Sequence, residues 1–456
     1  MLESCHGGAH MASMKKERDM TGGIIWKELL IFFFPLLLST LFQQLYNAVD
    51  AIIVGKFAGT EALAAVGGSP AVIINLIISV FVSLTTGSAV IIAQLYGAGK
   101  IKELRMAAGT SLAFFFLLGA ALTAVCEPFV SGMLHLLGTP EDTVADAAEY
   151  LYIYFSALPV LMLVNAQMSI LRAVGDSKTP LIFMIICCIL NIILDLLFVV
   201  VFRMGVPGVA WATVASMFVN AVLGTVKLFG TKESYRIKLK ELKPDMSLLK
   251  RMMEIGIPSA ASGSMYGISN AILQSSVNLL GTVAVASWAL AGKIDGVYWA
   301  ATSAFGAAVT TFAGQNFGAG KKERVKDSFK VSLWLFMPLT AAMCTAILIL
   351  TPTLLPFFTD DLSVNATTRE VILYFVPYYM MWTLIEILSG IMRGCGEVKA
   401  PVVISALGVC LFRVIWVMTV CAAGNTIFTV SICYPISWFI TDIAMLVYYL
   451  HWRKRL

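Results

Sequence analysis

Residues 94–100 read QLYGAGK and residues 315–321 read QNFGAGK, two near-copies 221 positions apart. The same offset relates LRAVGDSKTP (171–180) to MRGCGEVKAP (392–401), matching Arg172 to Arg393, Gly175 to Gly396 and Pro180 to Pro401. Nearer the start of each half, Pro35 and Asn47 correspond to Pro258 and Asn270 at an offset of 223, and GTEALAA to GTVAVAS at 222. An offset that drifts by only two residues marks an internal duplication. The halves run over 14–230 and 251–456, joined by the basic linker 231–250.

Of 456 residues, 59% are hydrophobic and 13% charged, against about 45–50% and about 25% in a soluble domain. A bilayer-spanning helix needs about 20 predominantly apolar residues. Twelve such stretches run from 26–54 to 427–450, including 251–280 and 284–314 in the second half. The fold expected is an all-α integral membrane protein, with 12 transmembrane helices in two six-helix bundles. Six is even, so both halves enter the membrane the same way round. They form a parallel repeat about a pseudo-two-fold axis along the membrane normal, with a transported substrate held between them. The alternative is that duplication only enlarges a bundle, as in a channel or scaffold.

Alternate loops carry 27 of the 32 lysines and arginines, and the opposite loops only Lys56, Arg203 and Arg369. The positive-inside rule then places both termini in the cytoplasm of a multi-pass protein of the inner or plasma membrane. The net charge of +5 faces the cytoplasm and lipid headgroups rather than nucleic acid. Residues 1–13, MLESCHGGAHMAS, resemble an expression-tag remnant. Nine cysteines without a CxxC pair read as apolar core residues. GAGK lacks the spaced first glycine and the Ser/Thr of a phosphate loop, and no hydrolase or kinase signature occurs. An ion gradient is therefore the expected energy source, and no enzyme activity or cofactor is expected.

Charge within a span is costly and marks function by default. Asp50 lies near the outer end of the first span, and Asn191 and Asp195 share one face of the fifth, four residues apart. Asp195 lies 15 residues past Pro180, roughly 22 Å up a hydrocarbon core about 30 Å thick. Thr213, just inside the sixth span, reaches similar depth. Two carboxylates, an amide and a hydroxyl at one level suit a shared proton or a small hard cation such as Na+; the alternative is that each acid snorkels to the interface. The second half places Leu273, Phe412 and Trp416 at the positions of Asp50, Asn191 and Asp195. Its own ionisable residues are Lys293, Asp295, Glu386, Arg413 and Asp442. Structural pairing is expected first, Arg413 with Glu386 in particular, and substrate contact second. Pro35 and Pro258 are candidate hinges or static kinks. Tyr46, Met265, Trp288, Trp299, Tyr379 and Trp382 are candidates for an aromatic cavity that takes cationic or flat organic molecules, together with Asp295, Glu386 and Arg413.

PLLLSTLFQQLYNAVDAIIVGKFAG, AQLYGAGK, AGQNFGAGK and LRAVGDSKTP together resemble the multidrug and toxic compound extrusion (MATE) family, across nearly the whole chain from about Ile24. The branch resembled is the bacterial and archaeal DNA-damage-inducible type. That resemblance implies a cation site at Asp50, Asn191, Asp195 and Thr213, neighboured by Gln43 and Tyr46. It also implies an antiporter in which H+ or Na+ entry drives export of small organic substrates by alternating access. Beyond Glu254, the seventh span has no acidic residue where the sodium-coupled branch carries one. A lipid-linked saccharide flippase of the same superfamily is the alternative. A monomer in contact with membrane lipids is expected, with no nucleic acid partner.

Overall fold

A computed structural model describes residues 19–456; the expected tag, 1–13, lies outside the described residues. Helices account for its regular structure, and no strand occurs among the described residues. The spans are α1 (Ile25–Ile53), α2 (Ser69–Gly97), α3 (Ile101–Cys126), α4 (Glu141–Ser156 and Leu158–Ala173, bent by 51°), α5 (Lys178–Asp195) and α6 (Val206–Gly230). The second repeat supplies α7 (Met246–Asn278), α8 (Thr282–Ile294 and Gly296–Gly318), α9 (Lys322–Leu354), α10 (Leu362–Phe375 and Tyr379–Gly394), α11 (Lys399–Cys421) and α12 (Ile427–Trp452).

Nine of these are long and apolar enough to cross a membrane by composition among the described residues, and the bent α4 makes ten. α7 and α8 fall short for different reasons. α7 is rich in serine, and Ser259 and Ser264 satisfy their hydroxyls on the carbonyls of Ile255 and Ala260 one turn back. Its small residues serve contact: a Cβ on Gly87 of α2 would lie 1.9 Å from the Met252 carbonyl oxygen, and one on Gly256 would lie 2.6 Å from that of Leu84. Small residues let helix backbones approach where lipid offers no hydrophobic drive for association. α8 is interrupted at Asp295, where its two halves meet.

The repeated glycine motifs are helix stops. Gly99 has φ +68° and Gly320 φ +71°, and Lys100 and Lys321 donate their N–H to the carbonyls of Leu95 and Asn316. The same six-residue closure recurs from Asp176 to Leu171 and from Glu397 to Met392, with Gly175 and Gly396 at φ +88° and +89°. All four are Schellman caps, in which only glycine takes the left-handed position without strain.

Two large hydrophobic clusters follow the repeats, except at α1, α7 and Val398, which joins the first. Met20, Leu29, Phe32, Phe33 and Leu36 are buried in the second repeat's cluster, where the Phe33 ring stacks 4.7 Å from Phe305. Ile53 and Val54 belong to the first. α7 mirrors this: Leu248, Met252, Ile255 and Ala260 join the first cluster, while Leu273 and Val277 pack with Cys421 and Val430. Each crossing helix changes neighbours near its proline, Pro35 or Pro258, and stays helical through it. Arg324 donates to the carbonyls of Gly22 and Gly23 and Lys321 to that of Thr21, which fastens the N-terminal end of α1 to the opposite repeat.

The Asp245 carboxylate caps α7, accepting from the Ser247 hydroxyl and from the N–H groups of Ser247 and Leu248. Bonding to the Ser247 hydroxyl first, and to those N–H groups with it, holds its pKa below the usual carboxylate range. A carboxyl whose folded pKa is depressed stabilises above its unfolded value and loses that contribution as pH falls through the folded one. Asp245→Ala should therefore lower Tm modestly near pH 7, with the difference from the parent shrinking on acidification below about pH 4.

Candidate cation and substrate sites

α1 packs on α5, and α5 on α6. Asn191 and Asp195 stand one turn apart on α5, and neither exposes any surface. Helical geometry loosens to a π-helical turn immediately after Asp195, at Leu196–Val201, and shortly after Asp50, at Val54–Ala58. Such turns often mark functional positions in helices. The Asp50 and Asp195 carboxyls face one another closely enough to share a proton. Thr213 of α6 accepts the Tyr46 hydroxyl at 3.2 Å, and Tyr46 sits one turn before Asp50. The structure thus brings Tyr46, Asp50, Asn191, Asp195 and Thr213 together.

Polar satisfaction is what singles this cluster out. Oδ1 of Asp50, both carboxyl oxygens of Asp195 and both amide atoms of Asn191 are buried without a hydrogen-bond partner. Buried polar atoms are nearly always paired, because leaving one bare costs a hydrogen bond's worth of free energy. Five in one place fit an occupant of the site, either a proton or a small cation. No group of three or more His, Cys, Asp or Glu residues suited to a transition metal occurs among the described residues. Tyr150 of α4 lies within electrostatic reach of both acids, with the Tyr154 ring 6.2 Å from its own, and neither was expected from the sequence. Their spacing of four on one helix face was the available signal. Gln43 and Tyr46 open onto a cavity of about 230 Å³ that Asn165, Arg172, Cys187 and Ser216 also line.

The second repeat departs from several expectations. Glu386 does not pair with Arg413: its Oε1 accepts from Arg393 Nη2 at 2.7 Å. Arg393 lies seven residues, two turns, along the same helix, so the partner on its own face is nearer than one on another span. Structural pairing also fails for Arg413, Asp295 and Asp442, which form no ion pair among the described residues. Lys293 is exposed and forms no ion pair among the described residues. Met265 is 37% exposed and Tyr266 faces the cavity instead, since neighbouring helical residues point about 100° apart. Tyr46 belongs to the first repeat's site rather than to this aromatic cavity.

Trp288, Asp295, Tyr379, Trp382 and Arg413 do converge. With Tyr266, Asn270, Trp299, Tyr434 and Trp438 they line a cavity of about 380 Å³. Arg413 is 3% exposed, donates to Ser437 Oγ and Asn270 Oδ1, and lies 3.9 Å above the Tyr434 ring. A further cavity of about 350 Å³ between the repeats is lined by the matched arginines Arg172 and Arg393, with Glu386, Thr302 and Thr310.

The sequence profile of the family described as MatE matches this chain twice, at residues 35–197 and 258–419, one copy per repeat and each starting at a crossover proline. Probable multidrug resistance protein YoeA of Bacillus subtilis is 30% identical over 84% of both chains. Probable multidrug resistance protein NorM of Thermotoga maritima is 25% identical over 84% of this chain and 83% of its own length. Among solved structures, a MOP-superfamily transporter from Pyrococcus furiosus superposes with a TM-score of 0.86 at 22% identity, covering 96% of each chain. A MATE in a bent conformation does so with a TM-score of 0.87 at 23%, again over 96% of each. Matched along both repeats, this multi-pass membrane protein belongs to the MatE family, a family of transporters rather than enzymes.

Proposed function

We propose that the chain is a cation-coupled antiporter that exports organic drugs, cationic or amphipathic in character, by alternating access. Relatives named for multidrug resistance and export, including MepA of Staphylococcus aureus at 21% identity, support the substrate class. The observation that carries the coupling is the set of five unpartnered buried polar atoms at Asp50, Asn191 and Asp195. Two facing carboxyls hold one proton readily and two charges poorly, so they titrate as a unit. This favours H+ over Na+ as the coupling ion. The cation enters from outside, and its binding and substrate binding compete.

In this reading residues 14–230 and 251–456 act as two lobes, 231–250 is their linker, and both termini of a monomer face the cytoplasm of the cell membrane. A flippase for lipid-linked saccharides would want unpaired cations for a pyrophosphate between the lobes. One of the two matched arginines there, Arg393, is already neutralised by Glu386. The test is ethidium accumulation in proteoliposomes of the full chain, with proton and sodium gradients imposed separately. Accumulation with the proton gradient alone is expected; accumulation with neither gradient would remove the antiport reading.

A further inference from the structure

We propose that the aromatic cavity of the second repeat is a ligand site separate from the acidic cluster, built for flat zwitterions: Arg413 takes the anionic end of the ligand and Asp295 the cationic end. The proposal deepens the transport reading by naming a substrate class, and rests on it only for the steps after binding.

Buried charges are normally quenched by a partner of opposite sign, because an uncompensated one is costly in a low-dielectric setting. In the neighbouring cavity Glu386 and Arg393 follow that rule. The aromatic cavity does not. Arg413 is buried, yet its hydrogen-bond partners, Ser437 and Asn270, are neutral and its ring neighbours, Tyr434 and Trp438, are aromatic. Asp295, 4% exposed, accepts from Trp299 Nε1 and the Tyr379 hydroxyl through one oxygen, while its Oδ1 is buried without a partner. Opposite charges line one cavity and form no ion pair among the described residues.

The walls between them are aromatic. Tyr379 and Trp438 lie 5.7 Å apart, and Trp438 and Trp382 6.1 Å apart. Flat rings stack on such surfaces, and a cavity of about 380 Å³ holds a small drug-sized molecule. The duplication sharpens the point. Ile74 and Ile192 occupy the first repeat's positions for Asp295 and Arg413, so building the fold requires neither charge. The first repeat carries an acid pair and the second a separated dipole.

The test is equilibrium dialysis of the purified full chain in detergent against three forms of one flat scaffold: ciprofloxacin, its methyl ester and its N-acetyl derivative, which are respectively zwitterionic, cationic and anionic. Wild type is expected to bind the zwitterion at least ~10-fold more tightly than either derivative, the worth of one charge-assisted hydrogen bond. Arg413→Gln should bring ciprofloxacin down to the affinity of the ester and leave the ester unchanged. Asp295→Asn should bring it down to that of the N-acetyl form. Should Arg413→Gln fail to yield folded protein, Arg413→Lys retains the charge without the planar fork, and it should weaken ciprofloxacin while sparing the ester. Equal binding of all three probes by wild type, or a preference that survives the substitutions at both positions, overturns the proposal. Binding is read without a gradient, so a chain that shows the preference but no gradient-driven efflux would count against antiport and not against this site.

Discussion

Asp50→Asn is expected to yield a folded protein that has lost gradient-driven efflux, by at least about 100-fold if a coupled step worth roughly 3 kcal/mol is removed. The substitution keeps the shape of the side chain and removes only its ability to gain and lose a proton. Little in the fold depends on the carboxylate: Oδ1 of Asp50 makes no hydrogen bond, and the second repeat builds the corresponding helix with Leu273 in its place. Relieving a buried acid pair should leave thermal stability equal or higher. Efflux in proteoliposomes and a melting curve on the same preparation check both halves. Asp195→Asn should behave alike, whereas Thr213→Ala, which removes only the acceptor for Tyr46, should weaken coupling without abolishing it.

The second large effect is expected at the two GAGK stretches, which pack against each other reciprocally. A Cβ on Gly97 would lie 1.9 Å from the Gln315 carbonyl oxygen, and one on Gly318 would lie 1.9 Å from that of Gln94. Gln94 donates in turn to the carbonyl of Gly394 (2.9 Å) and Gln315 to that of Ala173 (2.8 Å), repeat-equivalent positions. Both obstacles are backbone, and no side chain can swing aside to relieve the overlap. Gly97→Val or Gly318→Val must therefore part the repeats at this end. Transport should fall more than about 10-fold if holding this end shut contributes as little as ~1.4 kcal/mol, and spin labels on the two GAGK loops should report a longer distance. Gly99→Ala is the control: nothing lies within 4 Å of its Cβ, so only the strain of a positive φ, about 1 kcal/mol, is felt. An unchanged label distance in Gly97→Val would show that the contact is not what closes this end.

These residues also show what a sequence can and cannot disclose. Repeat period, span count and the intramembrane acids were legible because each is local or periodic: a 20-residue apolar run or a four-residue spacing needs no knowledge of neighbours. The glycines of GAGK were legible as repeated but not as touching, since that contact joins residues more than 200 apart. The expected pairing of Arg413 with Glu386 rested on opposite charge within the spans, which says nothing of the direction in which a helix face points; Arg393, two turns from Glu386, had the better position. Met265 failed for the same reason, one residue from the cavity-facing Tyr266. The exchange of the N-terminal halves of α1 and α7 between clusters was equally hidden. Apolar residues there satisfy either core, and only tertiary packing chooses between them.

The central claim, that the facing carboxyls of Asp50 and Asp195 exchange a proton for substrate, is met most directly by following pH in a weakly buffered detergent solution of the full chain as ethidium is added. Wild type should release protons in proportion to the ethidium bound, while Asp50→Asn and Asp195→Asn should release none. Equal proton release from wild type and both variants would contradict the claim.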